Sequence, residues 1–362
     1  MGNARRWGGH GVVRKLVDGL SAAVTVPALA EVDEQRTITA RRRFFGVDAV
    51  DPVTAAVHPD RVVLSWVGCT TYALAFGGTV LLLDAWVPRL TVSGYVPATA
   101  QDLADLKPAA ILLGHTHFDH AGDAGRIAAA SGAVVYGTAD HCATVRAQVP
   151  GSPLHTVALG DAATPPGHTH EFAIGGVEVT AVRHIHSAPV RPDPFTGSAP
   201  FFPRPNPKAI VDHPPTSADL REVLPRLADP EGGCLLYRLR IPSFTLVWHD
   251  STGPVTEKAP QVPDALSGLG SVDVQIGAIQ GYNQITNGLR DPRIYIESLR
   301  PRIFVPTHHD NWLPGLTAPA AAYDRVWHKE MARISAAHRP QVRSLHDPGD
   351  YVDPTRLTFP LF

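Results

Sequence analysis

Apolar residues along this chain fall into short runs, each closed by glycine, proline or a polar cluster. Residues 61–66 (RVVLSW), 72–76 (YALAF) and 79–83 (TVLLL) are separated by Gly68 and by Gly77-Gly78, the pattern of strands joined by tight turns. Residues 109–113 and 133–137 are further strands, and helical composition follows each of them, over 122–131 up to Gly132 and over 139–148. Strand, helix, strand, helix in this order implies parallel pairing in an α/β layer. A short helix is expected over 100–106, with Thr99 as N-cap and Asp102 in the capping-box position. Residues 172–174 and 177–182 flank Gly175-Gly176 as a hairpin, and 234–240 and 244–248 flank Pro242-Ser243 as another. Residues 272–276 and 303–305 add two short strands, and 320–338 reads as helical. Residues 91–95 (TVSGY) lead through Pro97 into the first helix.

These elements place order from near Asp60 and one domain over 60–350. Between 187 and 230 the chain is rich in proline and has few periodic apolar positions, apart from a short helix at 219–227. A segment of that length without regular structure is usually a lid, a binding loop or a disordered insert, and its start beside a candidate ligand favours a lid. The amide-rich stretch 277–293 (GAIQGYNQITNGLRDPR) is a second candidate loop. Residues 1–45 form an N-terminal extension with two readings. The apolar stretch 16–30 ends in Ala28-Leu29-Ala30, as a cleaved export signal would. Asp18 and Gly19 interrupt it, which favours a packed amphipathic helix and a cytoplasmic protein. No stretch has the roughly 20 apolar residues that span a bilayer.

Composition adds limits. The chain has 362 residues, 44% hydrophobic and 18% charged, so it can bury a sizeable core. A formal net charge of −2 gives no electrostatic case for nucleic acid. Three cysteines, odd in number and without a Cys-x-x-Cys, support neither a disulfide framework nor a cysteine zinc site. Nothing in the pattern sets the oligomeric state.

The chemistry concentrates after the strand at 109–113. His115, His117, Asp119 and His120 fall within six positions. A lone His-x-His is often a solvated turn. Four ligand-type side chains directly after a buried strand do little for a core but suit divalent metal ions. Other strands end in similar groups: His184 or His186, His249-Asp250, and His308 or His309. Strand ends on one edge of a sheet sandwich can converge on one site. Three nitrogens suit a first zinc, a carboxylate with two histidines suits a second, and Asp250 could join both. Asp84, at another strand end, would cap a turn or orient a ligand.

His-x-His-x-Asp-His with spaced His, Asp and His, the opening LSWVGCTTYALAFGGTVLLLDAW, AVRHIHS and PTHHDNW resemble the metallo-β-lactamase fold superfamily over roughly residues 60–350, nearest its lactonase-like and phosphodiesterase-like branch. The resemblance implies an α/β fold, a four-layer αβ/βα sandwich with a dinuclear site at one edge. It implies that His115, His117 and His186 hold one Zn2+, that Asp119, His120 and His308 hold a second, and that Asp250 bridges them. His186 is preferred to His184 because it precedes serine, and His308 to His309 because it lies two residues after Pro306. Asp84, His184, His249 and His309 become supporting residues or alternative ligands. Mn2+ and Fe2+ are alternatives to zinc. The implied activity is hydrolysis by a metal-bridging hydroxide, with Asp119 orienting the nucleophile or taking its proton, on a small-molecule ester, lactone or related substrate. A phosphodiesterase and an iron-dependent oxidoreductase of the same fold are the alternatives. Diiron members generally carry an acid where His117 stands, which favours zinc. Gln280, Tyr282, Asn283 and Asn287 are expected at the substrate.

Overall fold

Two seven-stranded sheets face one another across a shared apolar core. In the computed structural model, which describes residues 28–88, 96–195, 197–212, 214–218, 220, 224–313 and 316–361, the first sheet is built from β1 (Arg61–Gly68), β2 (Thr71–Phe76), β3 (Thr79–Leu83), β4 (Ala110–Leu112), β5 (Val134–Gly137) and β6 (Thr156–Ala158). The second is built from β7 (Thr169–Ile174), β8 (Val177–His184), β9 (Cys234–Ile241), β10 (Phe244–His249), β11 (Val274–Ala278), β12 (Ile303–Thr307) and β13 (Gln341–Val342). A last strand, β14 (Leu357–Pro360), returns to the first sheet beside β1. Each sheet is half antiparallel and half parallel. β1 to β3 and β7 to β10 pair antiparallel, β8 and β9 across the long 185–233 connection, and β3 to β6 and β10 to β13 pair in parallel.

The sequence explains this arrangement. β2 and β10 are buried along their whole length, so both read as near-continuous apolar runs. β7, at a sheet edge, is largely exposed or half-buried and reads as mixed. Leu74, Leu81, Leu82, Tyr237, Leu239 and Trp248 all belong to one buried cluster, and each buried leucine contributes about 1.5–3 kcal/mol. Gly77 and Gly78 close the β2–β3 hairpin with φ of 55° and 82°, values that a side chain would disfavour. Helices Ala124–Ser131 and Ala139–Gln148 pack against β5, and helix Arg290–Leu299 packs against β11.

Several expectations change. Order begins before Asp60. Helix Glu34–Phe45 buries Phe44 and Phe45, and Arg41 donates to the carbonyls of Ala55, Leu106 and Lys107. Most of the 16–30 stretch and all of 91–95 lie outside the described residues. Helix Ala100–Asp105 carries the capping box of Thr99 and Asp102. The helix expected over 122–131 begins at Ala124, behind a separate turn of helix at Phe118–Ala121, and ends on Gly132 in a left-handed cap. The amide-rich stretch is not a plain loop, since it holds helix Gln284–Asn287 and the start of helix Arg290–Leu299. Residues 320–338 divide into a 3-10 turn, Ala320–Ala322, and helix Asp324–Met331. Of the helix expected at 219–227, residues 219 and 221–223 lie outside the described residues, and Leu224–Ala228 is a 3-10 turn.

Candidate metal centre

Within the first sheet β3 and β4 run the same way, and within the second β8, β10, β11 and β12 do. Candidate side chains follow the carboxyl ends of these strands: Asp84 after β3, His115 to His120 after β4, His186 beyond β8, Asp250 after β10, Gln280 beyond β11 and His308 after β12. Cys69, Asp84 and His308 are non-glycine residues with φ of 51°, 54° and 60°. Such backbone persists where surrounding contacts over-determine it, typically at functional sites.

The structure brings the histidines and acids into two adjacent sets. His115, His117 and His186 form the first. His115 Nε2 and His117 Nδ1 are 3.0 Å apart, and the His186 ring lies 4.7 and 4.8 Å from the other two by centroids. Asp119, His120 and His308 form the second. His120 Nε2 and His308 Nε2 are 3.2 Å apart, and Asp119 Oδ2 stands 3.3 and 3.4 Å from them. The rings of His115 and His120 are 3.9 Å apart, so the sets lie side by side. His117, His186 and His308 are half-buried and the remaining ligands are buried, which leaves the site open along one face.

Two carboxylates grip the imidazoles from behind. Asp84 Oδ2 is 2.8 Å from His120 Nδ1 and accepts from the Thr70 hydroxyl at 2.6 Å. Asp250 Oδ2 is 2.7 Å from His115 Nδ1 and 3.4 Å from His120 Nδ1, and its Oδ1 has no partner among the described residues. A carboxylate on the far ring nitrogen fixes the tautomer and raises the basicity of the other. Asp250, expected as a bridge, therefore touches both sets through their imidazoles. Gly114 makes room for it: a Cβ there would lie 2.0 Å from Asp250 Cγ.

The electrostatics separate the sets. Burial pushes His115 well below the imidazole range, and burial together with neighbouring histidines brings His117 and His186 down to about 4. These rings present lone pairs at neutral pH, as a metal ligand must. Burial would lower His120 too, but Asp119, Asp84 and Asp250 outweigh it and hold this ring well above the usual range. Burial would raise Asp119, yet His120 and His308 hold it well below the carboxylate range. Burial, then the charge of Asp84, push Asp250 up. Three carboxylates in one buried cluster call for positive charge.

Other candidates are placed elsewhere. His184 is fully buried, with Nδ1 3.1 Å from the Tyr295 hydroxyl, and belongs to neither set. His249 lies against the Ser251 carbonyl and Gln275, and His309 against the Leu345 carbonyl. Asn283 and Asn287 are engaged with their own chain. Asn283 is buried and donates to Asp291, while Asn287 accepts from the Asp193 amide at 2.7 Å and donates to the Arg191 carbonyl. Gln280 touches His308 Nδ1 and the Trp312 indole, and Tyr282 is exposed with its ring 6.3 Å from His186. Cys69 was not expected here, yet its Sγ lies 3.8 Å from Asp119 Oδ2.

This arrangement predicts a clear ranking. His186→Ala should lower metal content, and His184→Ala should leave it near the wild-type level while lowering the melting temperature. Metal analysis and thermal denaturation of both variants measure it, and the reverse ranking would move the ligand to His184.

Comparison with known proteins found relatives of this chain. A UPF0173 metal-dependent hydrolase of Pyrobaculum islandicum is 30% identical over 132 residues, 34% of this chain and 51% of that protein. Another of that name, from Pyrobaculum calidifontis, is 26% identical over 296 residues, 79% of this chain and 97% of that protein. Among solved structures, Igni18, a metallo hydrolase from the archaeon Ignicoccus hospitalis, superposes with a TM-score of 0.52 at 15% identity, over 83% of this chain and 100% of that one, a likeness of fold. The model of the metallo-beta-lactamase superfamily matches residues 64–308, from β1 to His308 and so across both ligand sets, and the chain belongs to that superfamily.

Proposed function

We propose that the protein is a metal-dependent hydrolase that uses two zinc ions on a small ester, lactone or related carboxylic substrate. One observation carries this reading. Two sets of donor atoms, each spaced as around a single ion, lie side by side at one edge of the sandwich. Ligands about 2.0–2.2 Å from a tetrahedral ion stand roughly 3.3–3.6 Å from each other. The 3.2, 3.3 and 3.4 Å separations of the second set fit that, and the 3.0 Å pair of the first comes close. The partnerless Oδ1 of buried Asp250 is a further group that suits a cation.

His115, His117 and His186 would hold one zinc, and Asp119, His120 and His308 the other. Bound there, the ions would supply Lewis acidity and an activated water at neutral pH. Asp119 is 6% exposed, whereas Asp84 and Asp250 are sealed, so Asp119 is the carboxylate able to orient an entering water or take its proton. Trp86, Phe118 and Trp312 wall the second set and strengthen charge interactions there. Tyr282 and Gln280 supply an aromatic face and an amide at the open side. The cations on the helix behind them are already engaged: Arg290 with Glu257 and Asp291, Arg293 with Glu330 and Glu297. That favours a carboxylic substrate over a phosphodiester.

Residues 187–230 would act as a lid. Support comes from their anchors beside the site, where the Ser187 amide donates to Ser251 Oγ at 3.1 Å, the Phe201 amide to the Gln284 carbonyl at 2.9 Å, and Thr116 Oγ1 to the Pro230 carbonyl at 2.6 Å. No helix of the described residues is long and apolar enough to cross a membrane.

The test is a hydrolysis screen of zinc-loaded protein against lactones, esters, amides and phosphodiesters. Turnover of a lactone or ester well above that of phosphodiesters is the expected result. Phosphodiester cleavage alone would replace the substrate class, and iron content with redox turnover would overturn the zinc hydrolase.

A further inference from the structure

We propose that Cys69 is a fourth ligand of the second metal ion, so that a cysteine, an aspartate and two histidines close that site. The inference rests on the metal-centre reading above and assigns a residue that the family resemblance did not supply.

Spacing is the first argument. The ligand atoms of Cys69, Asp119, His120 and His308 all lie within 4.8 Å of one another. Around a tetrahedral ion with metal–sulfur near 2.3 Å and metal–oxygen near 2.1 Å, sulfur and oxygen stand about 3.6 Å apart. Sγ is 3.8 Å from Asp119 Oδ2, beside nitrogen and oxygen pairs at 3.2 to 3.4 Å. The four atoms thus mark the corners of one coordination shell to within a few tenths of an ångström along these edges.

Placement is the second. Cys69 sits in the β1–β2 turn with φ of 51°, an unfavourable value for a side-chain-bearing residue. Its amide donates to both carboxylate oxygens of Asp310, at 3.1 and 3.2 Å, and the Tyr351 hydroxyl holds that carboxylate at 2.5 Å. Its carbonyl accepts from the Trp66 indole at 3.1 Å, from Thr307 Oγ1 at 2.7 Å and from the His308 amide at 3.2 Å. The turn is therefore fixed to the strand end that delivers His308, and the thiol is aimed where that histidine points. A buried cysteine also serves as a small apolar group, and Sγ does meet the wall of Trp86, Phe118 and Trp312. Cys142 and Cys234 are equally buried but join no ligand set among the described residues. Packing alone does not account for a strained turn that brings sulfur to a carboxylate.

The consequence is a division of labour. Four protein ligands make a closed site and three leave a position free. The second ion would be held tightly by two anions and two imidazoles, and the first, with three imidazoles, would keep the open position for substrate or water. A thiolate also selects zinc over the harder manganese and magnesium ions. Forming the metal–sulfur bond breaks the S–H bond, and the proton passes to buffer.

The experiment uses the full chain with cobalt in place of zinc, in a Cys142→Ala, Cys234→Ala background where Cys69 is the sole thiol. A sulfur-to-cobalt charge-transfer band in the near ultraviolet is expected, and Cys69→Ser should abolish it and weaken one of the two cobalt ions at least tenfold. Zinc X-ray absorption of the wild type needs no variant and should show one sulfur per two zinc ions near 2.3 Å. Two bound ions with no sulfur scattering, or a band that persists in Cys69→Ser, would overturn the thiolate ligand and leave the metal centre standing. Failure of the wild type to bind cobalt or zinc at all would overturn both.

Discussion

Asp119→Asn is expected to cut turnover by about 100- to 10,000-fold, the range for loss of a positioned proton-transfer group. The substitution keeps the shape of the side chain and removes its charge. Asp119 Oδ2 sits 3.3 Å from His120 and 3.4 Å from His308, and these rings hold it ionised well below the carboxylate range. An amide there cannot serve as an anionic ligand and cannot take a proton from water. The fold should tolerate the change, since Asp119 is at the solvent side of the cluster. Steady-state kinetics and metal content measured on one preparation separate the two contributions. The first ion should remain, because its three histidines do not include Asp119. Activity within a few-fold of wild type would remove Asp119 from the machinery.

Gly114→Ala should have the largest effect on assembly of the site, although it adds only one methyl group. The new Cβ would meet Asp250 Cγ at 2.0 Å and its oxygens at 2.1 and 2.3 Å. Asp250 is fully buried and cannot swing into solvent. It must retreat from His115 and His120, or β4 must shift, and overpacking of this kind typically costs about 1–3 kcal/mol. Losing the carboxylate behind a ligating imidazole lowers metal affinity by about 10- to 100-fold. Chemical denaturation and metal titration of the variant measure both losses. Unchanged metal affinity would mean that Asp250 does not orient His115.

Much of this site was legible in the sequence, because strand ends and ligand-type residues coincide there. His115 to His120 follow β4 directly, and Asp84, Asp250 and His308 each follow a short apolar run, so counting strands was enough to collect them. The choice of His186 over His184 needed the resemblance, because both side chains lie near one strand end. The structure separates them by partner, Tyr295 for His184 and the other histidines for His186. Cys69 was missed since a lone cysteine in a turn carries no spacing signal. Its meaning depends on Asp310 and Thr307, more than two hundred residues away. Asn283 and Asn287 were expected at the substrate because amides in an irregular stretch bind ligands or bind their own chain, and only tertiary structure shows that Asn287 fastens residues 191 and 193. The position of helix Glu34–Phe45 within the extension was not legible because its surface is almost wholly polar and few of its side chains, Thr37, Ala40, Phe44 and Phe45, are buried. The edge strands β6 and β13 have three and two residues, too few to show a period.

The central claim is that five strand ends and one turn assemble two metal sites in this chain. The most direct measurement is the metal content of purified protein after removal of metal and reloading with excess zinc, read by elemental analysis against protein concentration. The account predicts two zinc ions per chain for wild type, and one for a variant carrying both His120→Ala and His308→Ala. A wild-type value of one or less, or two ions retained in that variant, would contradict it.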